Sequence, residues 1–456
     1  MRWAAVGGGL AAAAAALAVL LDPANVREYL TDKSANLYFK YKTIGRTYLD
    51  PDPPCPWCAA AMSPQDLRER IGVNVHMSYR TTPYWRSDQV IGALQYLNLD
   101  HVRDMGVSQM ATAPGYERLA AAGYRLDLIL QGDLSPLAEI EALSRRHPGA
   151  VAALEGPNEI NNFPVSYAGR TGRPAAVAFQ AAMARAVRSS AAISTTPIYM
   201  FTGYPAGVLA DVTNLHSYPR QGQNPAAQLR IDLETASRGR PQQPFVVTET
   251  GYATPVAGGA DRLSEQARDC LVSVLEAVRL GARRVYLYEL FDEAKDGDRP
   301  DPENHFGLFD VNGRPKPAAV ALRSMLRILL DRPDAAAPTA APSARAIIPR
   351  VAAPGVRMLR MAGGRSDNRI ILWSDSRAAS GRSAAVVDLG RSYPHVRLYR
   401  PVTQGDIPVR LNDARYISVD LAQGPAIVAP DSERQPAPPA SAGVTVPPPP
   451  HSRPRP

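Results

Sequence analysis

Phe245-Val246-Val247-Thr248-Glu249 is the stretch that decides the fold, because it is a short apolar run that ends on a charged side chain. A pattern typical of an amphipathic helix follows over residues 263–280, and a second short apolar run covers residues 284–288. The apolar positions are continuous rather than alternating with polar ones, which is typical of parallel strands covered on both faces. The stretch therefore predicts a strand–helix–strand unit with a parallel sheet.

The same alternation recurs between residues 64 and 330. Strands are predicted at residues 71–76, 100–103, 126–130, 151–154, 198–201, 212–216, 245–249 and 284–288. Helical patterns lie between them, including residues 87–97, 137–145, 175–189, 226–236, 263–280 and 317–330. Eight strands alternating with helices predict an α/β fold, a (β/α)8 TIM barrel. A doubly wound open sheet is less favoured, because no glycine-rich turn follows the first strand.

The remaining segments divide the chain further. Residues 331–345 are rich in alanine and proline, which is typical of a linker, and residues 346–430 carry short β-type runs that predict a small antiparallel β-sandwich domain. These runs are residues 370–373, 384–388, 396–399, 409–411, 418–421 and 426–428. Residues 431–456 are dominated by proline and predict a disordered tail, and residues 22–63 form an N-terminal extension to the barrel of residues 64–330.

Residues 1–21 predict export. Arg2 precedes an uncharged apolar stretch over residues 4–21, which fits a signal peptide or an uncleaved N-terminal membrane anchor. We therefore expect the rest of the chain to act in the periplasm, the cell envelope or the extracellular space. In that setting Cys55 and Cys58 could form a local disulfide, since the competing zinc, haem and thioredoxin interpretations of their spacing lack supporting residues.

The composition excludes several classes of protein. Charged residues make up 21% and hydrophobic residues 45% of the 456, which excludes a globally disordered chain. Three cysteines are too few for a disulfide scaffold. The net charge of +8 comes from scattered arginines without a basic run, so we expect no nucleic-acid partner.

Polar side chains occupy the predicted C-terminal strand ends, where the chemistry of a barrel takes place. A core alone requires no charged residues at these positions. They are His76 on strand one, Arg103 on strand two, Asn158 and Glu159 on strand four, His216 and Tyr218 on strand six, Glu249 on strand seven, and Tyr288, Glu289 and Phe291 on strand eight. Glu159 and Glu249 would face each other across the barrel mouth.

Two facing carboxyl groups are what glycosidic cleavage needs. One stays protonated as the general acid, while the other acts as a nucleophile or as the base for a water molecule. Asn158 could bond the sugar hydroxyl beside the reacting carbon. Tyr218 could donate to Glu249, and Arg103 could keep Glu249 ionised.

These residues resemble the clan A glycoside hydrolases, the 4/7 superfamily that includes families five and thirty-nine. Glu155-Gly156-Pro157-Asn158-Glu159 matches the acid/base motif after strand four, and Val246-Val247-Thr248-Glu249-Thr250-Gly251 matches the nucleophile motif of strand seven. Leu215-His216-Ser217-Tyr218-Pro219 and Val102-Arg103 resemble the motifs of strands six and two. The resemblance covers roughly residues 70–330, and the β domain that follows resembles the accessory sandwich of several clan families.

The resemblance implies a retaining glycoside hydrolase without a cofactor, and residues 1–21 add the expectation that it is exported. Glu159 would be the acid/base and Glu249 the nucleophile of a double displacement on an O-glycosidic, β-linked polysaccharide or oligosaccharide. A catalytically silent polysaccharide-binding barrel and a transglycosylase are the alternatives. We expect a monomer, with membrane attachment only through residues 4–21.

The remaining polar strand ends have open or structural interpretations. His76 and His216 could be structural or could contact sugar, Glu289 could bond a sugar hydroxyl or pair with an arginine, and Glu155 fits an ion pair better than chemistry. Many clan members have tryptophan at the end of strand eight, a platform that Tyr288, Phe291 or Phe306 would supply here.

No metal site is predicted from the sequence. The chain has no HxH or HExxH pattern at the strand ends, and its acidic residues after strand eight lack the register of an EF-hand. These residues, which fit a solvated loop, are Asp292, Glu293, Asp296 and Asp298.

Overall fold

The fold is described from a computed structural model of the chain. The described residues are 61–203, 208–219, 225–238, 242–254, 259–293, 301–330, 350–352, 355–361, 369–374 and 384–430. The predictions for residues 1–21, Cys55, Cys58, the linker of residues 331–345 and the tail of residues 431–456 lie outside them. No helix among the described residues is both long enough and apolar enough to cross a membrane.

Eight parallel strands form a barrel. Their bounds are β1 (Ile71–Asn74), β2 (His101–Asp104), β3 (Arg125–Ile129), β4 (Val151–Glu155), β7 (Ile198–Tyr199), β8 (Thr213–His216), β9 (Phe245–Thr250) and β10 (Val285–Leu287), while β5 (Ser166–Tyr167) and β6 (Arg170–Thr171) pair in a separate hairpin. The strand order is β7-β4-β3-β2-β1-β10-β9-β8, and a bridge between Tyr199 and Val212 closes the ring. The predicted TIM barrel is therefore confirmed, with strand ends that differ by one or two residues.

The helices cover the outside of the barrel. They are α1 (Pro64–Glu69), α2 (Ser87–Leu97), α3 (Gly115–Ala121), α4 (Leu137–Arg146), α5 (Gly172–Ser189), α6 (Pro225–Ala236), α7 (Gly259–Arg279) and α8 (Pro317–Leu330). Short 3-10 helices occupy Pro83–Trp85, Gly106–Thr112 and Pro302–His305.

The burial pattern explains why these segments adopt these elements. All six residues of β9 are buried, as expected for a strand covered by helices on one face and by the barrel interior on the other. Helix α8 begins with Pro317, whose missing N–H costs nothing at a first helical position. Its buried Leu322, Met325, Leu326 and Leu329 repeat at three- and four-residue spacing, so one apolar stripe faces the barrel.

A six-stranded antiparallel sheet follows the barrel and forms the small β-sandwich domain. Its strands are β11 (Arg350–Ala352), β12 (Val356–Met361), β13 (Arg369–Ser374), β14 (Ala384–Tyr399), β15 (Val409–Asp420) and β16 (Ala426–Pro430). A second apolar core, which includes Leu372, Val387 and Val419, lies within this domain.

The prediction of separate short strands in this domain was wrong for β14 and β15. Each is one long strand that joins two of the predicted runs. The register of the pair shifts between Asp388 and Tyr393, and Gly390 adopts a φ of +78° there. Glycine tolerates this left-handed conformation, so the residues that suggested a turn form an irregularity within a continuous strand.

The β domain packs directly on the barrel. Trp373, Met361 and Ile427 belong to the same buried cluster as the barrel core. Arg369 is buried and donates from Nη1 to the carbonyl oxygen of Leu329 at 2.7 Å, near the C-terminus of α8. This interaction satisfies a carbonyl that a helix end leaves without an intrahelical partner.

Candidate active site

A cleft of about 680 Å³ opens at the C-terminal ends of the barrel strands. Of the sequence-predicted residues, the structure places eight in its lining: His76, Arg103, Asn158, Glu159, Tyr218, Glu249, Tyr288 and Phe306. His216, Glu289 and Phe291 are not part of this lining.

Arg103, in the lining of the cleft, links strands β4 and β9. Its Nε and Nη2 donate to the two oxygens of Glu155 at 2.8 and 2.6 Å, and its Nη1 donates to Glu249 Oε1 at 2.6 Å. Burial lowers the pKa of Arg103, but the charges of Glu155 and Glu249 outweigh this effect and raise it above its usual value. The predicted ion pair of Glu155 is thus confirmed, and the guanidinium remains charged where Glu249 needs it.

Two amide oxygens also accept from Arg103, and its Nη2 lies 3.4 Å from His216 Nε2. Its Nη1 also donates to Asn74 Oδ1 at 2.9 Å, and its Nη2 donates to Asn158 Oδ1 at 2.8 Å. The Nδ2 group of Asn158 makes no hydrogen bond with any described residue, so it can donate to a ligand in the cleft. The bond from Asn158 to a sugar hydroxyl stays a prediction, whereas Asn74 gave no signal in the sequence.

Glu249 is held at both carboxylate oxygens. Oε1 accepts from Arg103, and Oε2 accepts from the Tyr218 hydroxyl at 2.6 Å. Burial, followed by the charge of Glu249, raises the pKa of Tyr218, so that its hydroxyl stays protonated as a donor. The carboxylate is therefore oriented before any substrate enters, as a nucleophile requires.

Glu159 lies four residues after the end of β4 and has a left-handed backbone conformation. Its φ is +43°, which is uncommon for a residue other than glycine, and its backbone N–H donates to Thr202 Oγ1 at 2.8 Å. Its Oε1 lies 2.8 Å from His216 Nδ1, and its Oε2 accepts from Asn162 Nδ2 at 2.8 Å. Burial raises the pKa of Glu159, but the contacts with His216 and Asn162 outweigh it and hold this pKa below its usual value.

His216 bridges Glu159 to the strand of Glu249. Its Nε2 lies 3.1 Å from Thr248 Oγ1, and its Nδ1 lies 3.4 Å from Glu249 Oε2. The Thr248 hydroxyl in turn donates to Asn214 Oδ1 at 2.7 Å. The ring is thereby fixed between the two glutamates, although it does not line the cleft itself.

The two candidate catalytic carboxyl groups are close together. One oxygen of Glu159, one of Glu249 and one ring nitrogen of His216 all lie within 4.8 Å of one another. Two oxygens no more than 4.8 Å apart fit the roughly 5–5.5 Å separation of carboxyl groups in retaining glycosidases better than the roughly 6.5–9.5 Å of inverting ones.

Aromatic side chains form the wall of the cleft on the β10 side. The Tyr288 ring lies 5.6 Å from the centroids of both Phe306 and His76 in edge-to-face geometry, and His76 stacks on Tyr79 at 4.6 Å. Burial raises the pKa of Tyr288. Tyr288 and Phe306 can thus serve as the aromatic platform that was expected at the end of strand eight.

Phe291 does not belong to this wall, so its predicted role as a platform was wrong. It is fully buried and packs against Tyr84 at 5.3 Å and against Phe309 at 5.7 Å. Strand β10 ends at Leu287, and the Phe291 backbone N–H donates to the Tyr84 hydroxyl at 2.9 Å, which places this residue in the core beside the strand end.

The acidic residues after β10 were predicted to form a solvated loop, and at least one of them does not. Asp292 is only 5% exposed and accepts from Lys316 Nζ at 2.6 Å, so that prediction was wrong for this residue. Burial raises the pKa of Asp292 to about 6. Burial and the nearby charge of Glu289 raise the pKa of Glu293 to about 7, while Asp296 and Asp298 lie outside the described residues.

Other residues of the cleft gave no usable signal in the sequence. Tyr79, Asn162 and Phe163 line the cleft from irregular loops, and Glu303 lines it from the short 3-10 helix Pro302–His305. Periodicity identifies strand ends and therefore cannot find such residues. Asn162 and Phe163 follow Glu159 closely in the chain, which is the one indication that the sequence contained.

Solved structures share the architecture that carries this cleft. A family 39 glycoside hydrolase from the gut symbiont Bacteroides cellulosilyticus WH2 is similar over 80% of this chain and 82% of its own, with 14% sequence identity and a TM-score of 0.57. The GH39 enzyme from Xanthomonas axonopodis pv. citri is similar over 82% of this chain and 96% of its own, with 12% identity and a TM-score of 0.51. Neither a protein-family model nor a curated protein matches the chain. The chain therefore has the fold of these family 39 enzymes, and its resemblance to clan A is confirmed at the level of the fold.

Proposed function

We propose that this protein is a retaining glycoside hydrolase, with Glu249 as the nucleophile and Glu159 as the acid/base. The observation that carries the proposal is that one oxygen of Glu159 and one of Glu249 lie within 4.8 Å of each other at the barrel mouth. A gap of this size allows direct attack by one carboxylate but leaves too little room for a water molecule on the opposite face of the sugar.

In the first step, Glu249 attacks the anomeric carbon while Glu159 protonates the leaving oxygen. Glu249 is suited to attack because Arg103 and Tyr218 fix both of its oxygens. The bond to the leaving group breaks as the bond to Glu249 forms, which gives a covalent glycosyl-enzyme.

In the second step, Glu159 takes a proton from a water molecule, and the resulting hydroxide displaces Glu249 from the sugar. Asn158 supports both steps through its Nδ2, which is positioned to donate to a sugar hydroxyl. A bond of this kind lowers the barrier when it strengthens in the transition state.

We further propose that the substrate is a polysaccharide or oligosaccharide and that the protein acts after export through residues 1–21. The open cleft and its aromatic wall support a chain-like sugar substrate. Export rests on the uncharged apolar stretch of residues 4–21 alone.

The test is a comparison of Glu249→Gln with the wild-type protein on a panel of polysaccharides, measured as release of reducing ends. We expect Glu249→Gln to lose about 10⁴-fold or more in turnover, because the neutral amide cannot attack. Glu141→Gln is the matched control, since Glu141 lies on the outer helix α4 with Arg145 as its partner.

Two outcomes would contradict the proposal. Full turnover by Glu249→Gln would exclude Glu249 as the nucleophile. Tight binding of a polysaccharide by the wild type without any released reducing ends would favour the silent binding barrel. Analysis of products in the presence of an added sugar acceptor separates a hydrolase from a transglycosylase.

A further inference from the structure

We propose that His76, Glu289 and Glu293 bind one divalent metal cation of the type that accepts mixed nitrogen and oxygen ligands, such as Zn²⁺ or Mn²⁺. The three residues, termed here the acidic triad, lie beside the cleft at the ends of β1 and β10. The site is separate from the Glu159–Glu249 pair and does not depend on the proposed function.

The donor atoms of the acidic triad are spaced as ligands of one ion. One donor atom from each residue lies within 4.8 Å of the others. His76 Nε2 lies 3.2 Å from Glu289 Oε2 and 3.8 Å from Glu293 Oε1. Ligands that bind a cation at about 2.0–2.2 Å stand about 3–3.5 Å from one another, so small side-chain adjustments complete such a site.

The acidic triad contains buried donor atoms without partners. Glu289 is completely buried, and its Oε1 makes no hydrogen bond with any described residue. His76 is 6% exposed, and its Nε2 also lacks a hydrogen bond of acceptable geometry despite its short distance to Glu289. Buried polar groups without partners are rare, because removing such a group from water without a compensating hydrogen bond is unfavourable, and more so when the group is charged.

The second His–Glu–Glu cluster of the barrel provides a direct contrast. Glu159 and Glu249 also have an oxygen within 4.8 Å of a histidine nitrogen. Their oxygens, however, already have polar partners, which are Arg103, Tyr218, Asn162 and His216. In the acidic triad, by contrast, Tyr84 is the one donor among the described residues, and its hydroxyl lies 2.7 Å from Glu289 Oε2. The Glu159–Glu249 cluster thus has a guanidinium beside it, whereas the described part of the chain supplies no permanent cation to the acidic triad.

A divalent cation would supply both the positive charge and the partner atom that the acidic triad lacks. It would neutralise the charges of Glu289 and Glu293, which burial makes costly to leave unpaired, and it would bind the free His76 Nε2. Tyr84 would act as the outer partner that orients Glu289, because its hydroxyl is fixed by the Phe291 backbone N–H at 2.9 Å. Three protein ligands leave further coordination positions for water or a ligand from the cleft, which His76 lines.

The experiment measures metal binding to the purified full-length protein after treatment with a chelator. Zn²⁺ and Mn²⁺ are titrated separately by calorimetry, with thermal unfolding as a second readout. We expect one equivalent of at least one of these ions to bind and to raise the unfolding temperature, since a ligand that prefers the folded state stabilises it. Glu289→Gln should lower the affinity at least ten-fold.

Two further ligand variants and one control complete the design. His76→Gln should cause a comparable loss, and Glu293→Gln provides a partly exposed position that remains informative if the buried variants fail to fold. Glu141→Gln is the control, because Glu141 lies on the outer helix α4 outside the acidic triad, so this variant should retain full affinity. Anomalous scattering from crystals soaked in the bound metal should locate the ion at the triad.

The proposal is overturned if neither ion binds stoichiometrically to the wild type. It is equally overturned if an ion binds but its affinity is unchanged in every folded variant of the triad. In the first case a protonated His76 paired with Glu289 is the whole interaction, and in the second case the ion lies elsewhere.

Discussion

At the scale of single residues, the site depends on how each carboxylate is partnered. Arg103 donates to Glu155 and Glu249 from the same guanidinium, so one positive charge is shared by a buried strand-four carboxylate and the nucleophile candidate. Breaking such a buried pair on one side is typically costly by about 3–5 kcal/mol, because the other charge is left uncompensated. The arrangement therefore couples the stability of the barrel interior to the orientation of Glu249.

The partners of Glu159 predict how the pH profile responds to mutation. Asn162 stabilises the ionised form of Glu159, whose pKa is lowered, and a general acid must carry its proton. We therefore expect kcat/KM to decline on the alkaline side as Glu159 loses its proton. In Asn162→Ala the ionised form loses a donor, so the pKa of Glu159 rises and the alkaline limb moves to higher pH.

The measurement is the pH dependence of kcat/KM for wild type and Asn162→Ala on one substrate. Asn161→Ala is the control, because Asn161 contacts Asn162 rather than Glu159 and should leave the limb near its original position. A limb that stays in place in Asn162→Ala, or moves to lower pH, would contradict the assignment of Glu159 as the acid.

At the scale of elements, the loop after β4 carries both the acid candidate and an exposed aromatic ring. Phe163 is 56% exposed, lines the cleft, and donates from its backbone N–H to the Glu159 carbonyl at 2.8 Å. In the proposed mechanism Glu159 protonates the leaving oxygen, so a ring on the same loop would stand on the side of the leaving sugar. We therefore predict that Phe163 stacks on that sugar rather than on the one attacked by Glu249.

This placement predicts a selective effect of Phe163→Ala. KM for an oligosaccharide should rise about ten-fold, equivalent to ~1.4 kcal/mol of lost binding, because the leaving sugar loses an apolar platform. The kinetics with a small aryl glycoside should change little, since that substrate has no sugar on the leaving side. Equal effects of Phe163→Ala on both substrates would argue against the assignment, and Leu209→Ala, an exposed apolar position outside the cleft lining, is the control.

At the scale of the whole molecule, the β domain and the barrel share one apolar core. Trp373 of β13 is completely buried in the cluster that also contains the barrel residues. Proteins whose parts share a core of this kind commonly unfold together. We therefore expect the barrel and β domain to unfold in one transition.

Trp373→Ala tests this expectation. Loss of the buried ring should lower the free energy of unfolding by about 3–5 kcal/mol and shift the single urea transition to lower concentration. Ile407→Ala, at a position that is 72% exposed in the same domain, should change it by less than about 0.5 kcal/mol. Two separate transitions in the wild type, with only one of them shifted by Trp373→Ala, would show that the domains fold independently.

Much of this organisation was predictable from the sequence, because it depends on local patterns. Continuous apolar runs such as residues 245–249 identify parallel strands wherever they lie, and polar residues at their ends identify the functional face. The barrel, its strands and the positions of Glu159 and Glu249 at the mouth follow from this reasoning. The long strands β14 and β15 did not follow from this reasoning. Glycine is typical of turns, but Gly390 lies at an irregularity within a continuous strand.

The tertiary structure alone decided which side chains meet. Phe291 turns into the core although it follows a strand end, while Phe163 and Asn162 reach the cleft from a loop. The acidic triad joins residue 76 to residues 289 and 293 because β1 and β10 are neighbours in the closed ring. The physical reason is that periodicity records which face of its own element a residue occupies, whereas contacts between elements depend on barrel closure, strand register and loop paths, which distant parts of the chain determine together.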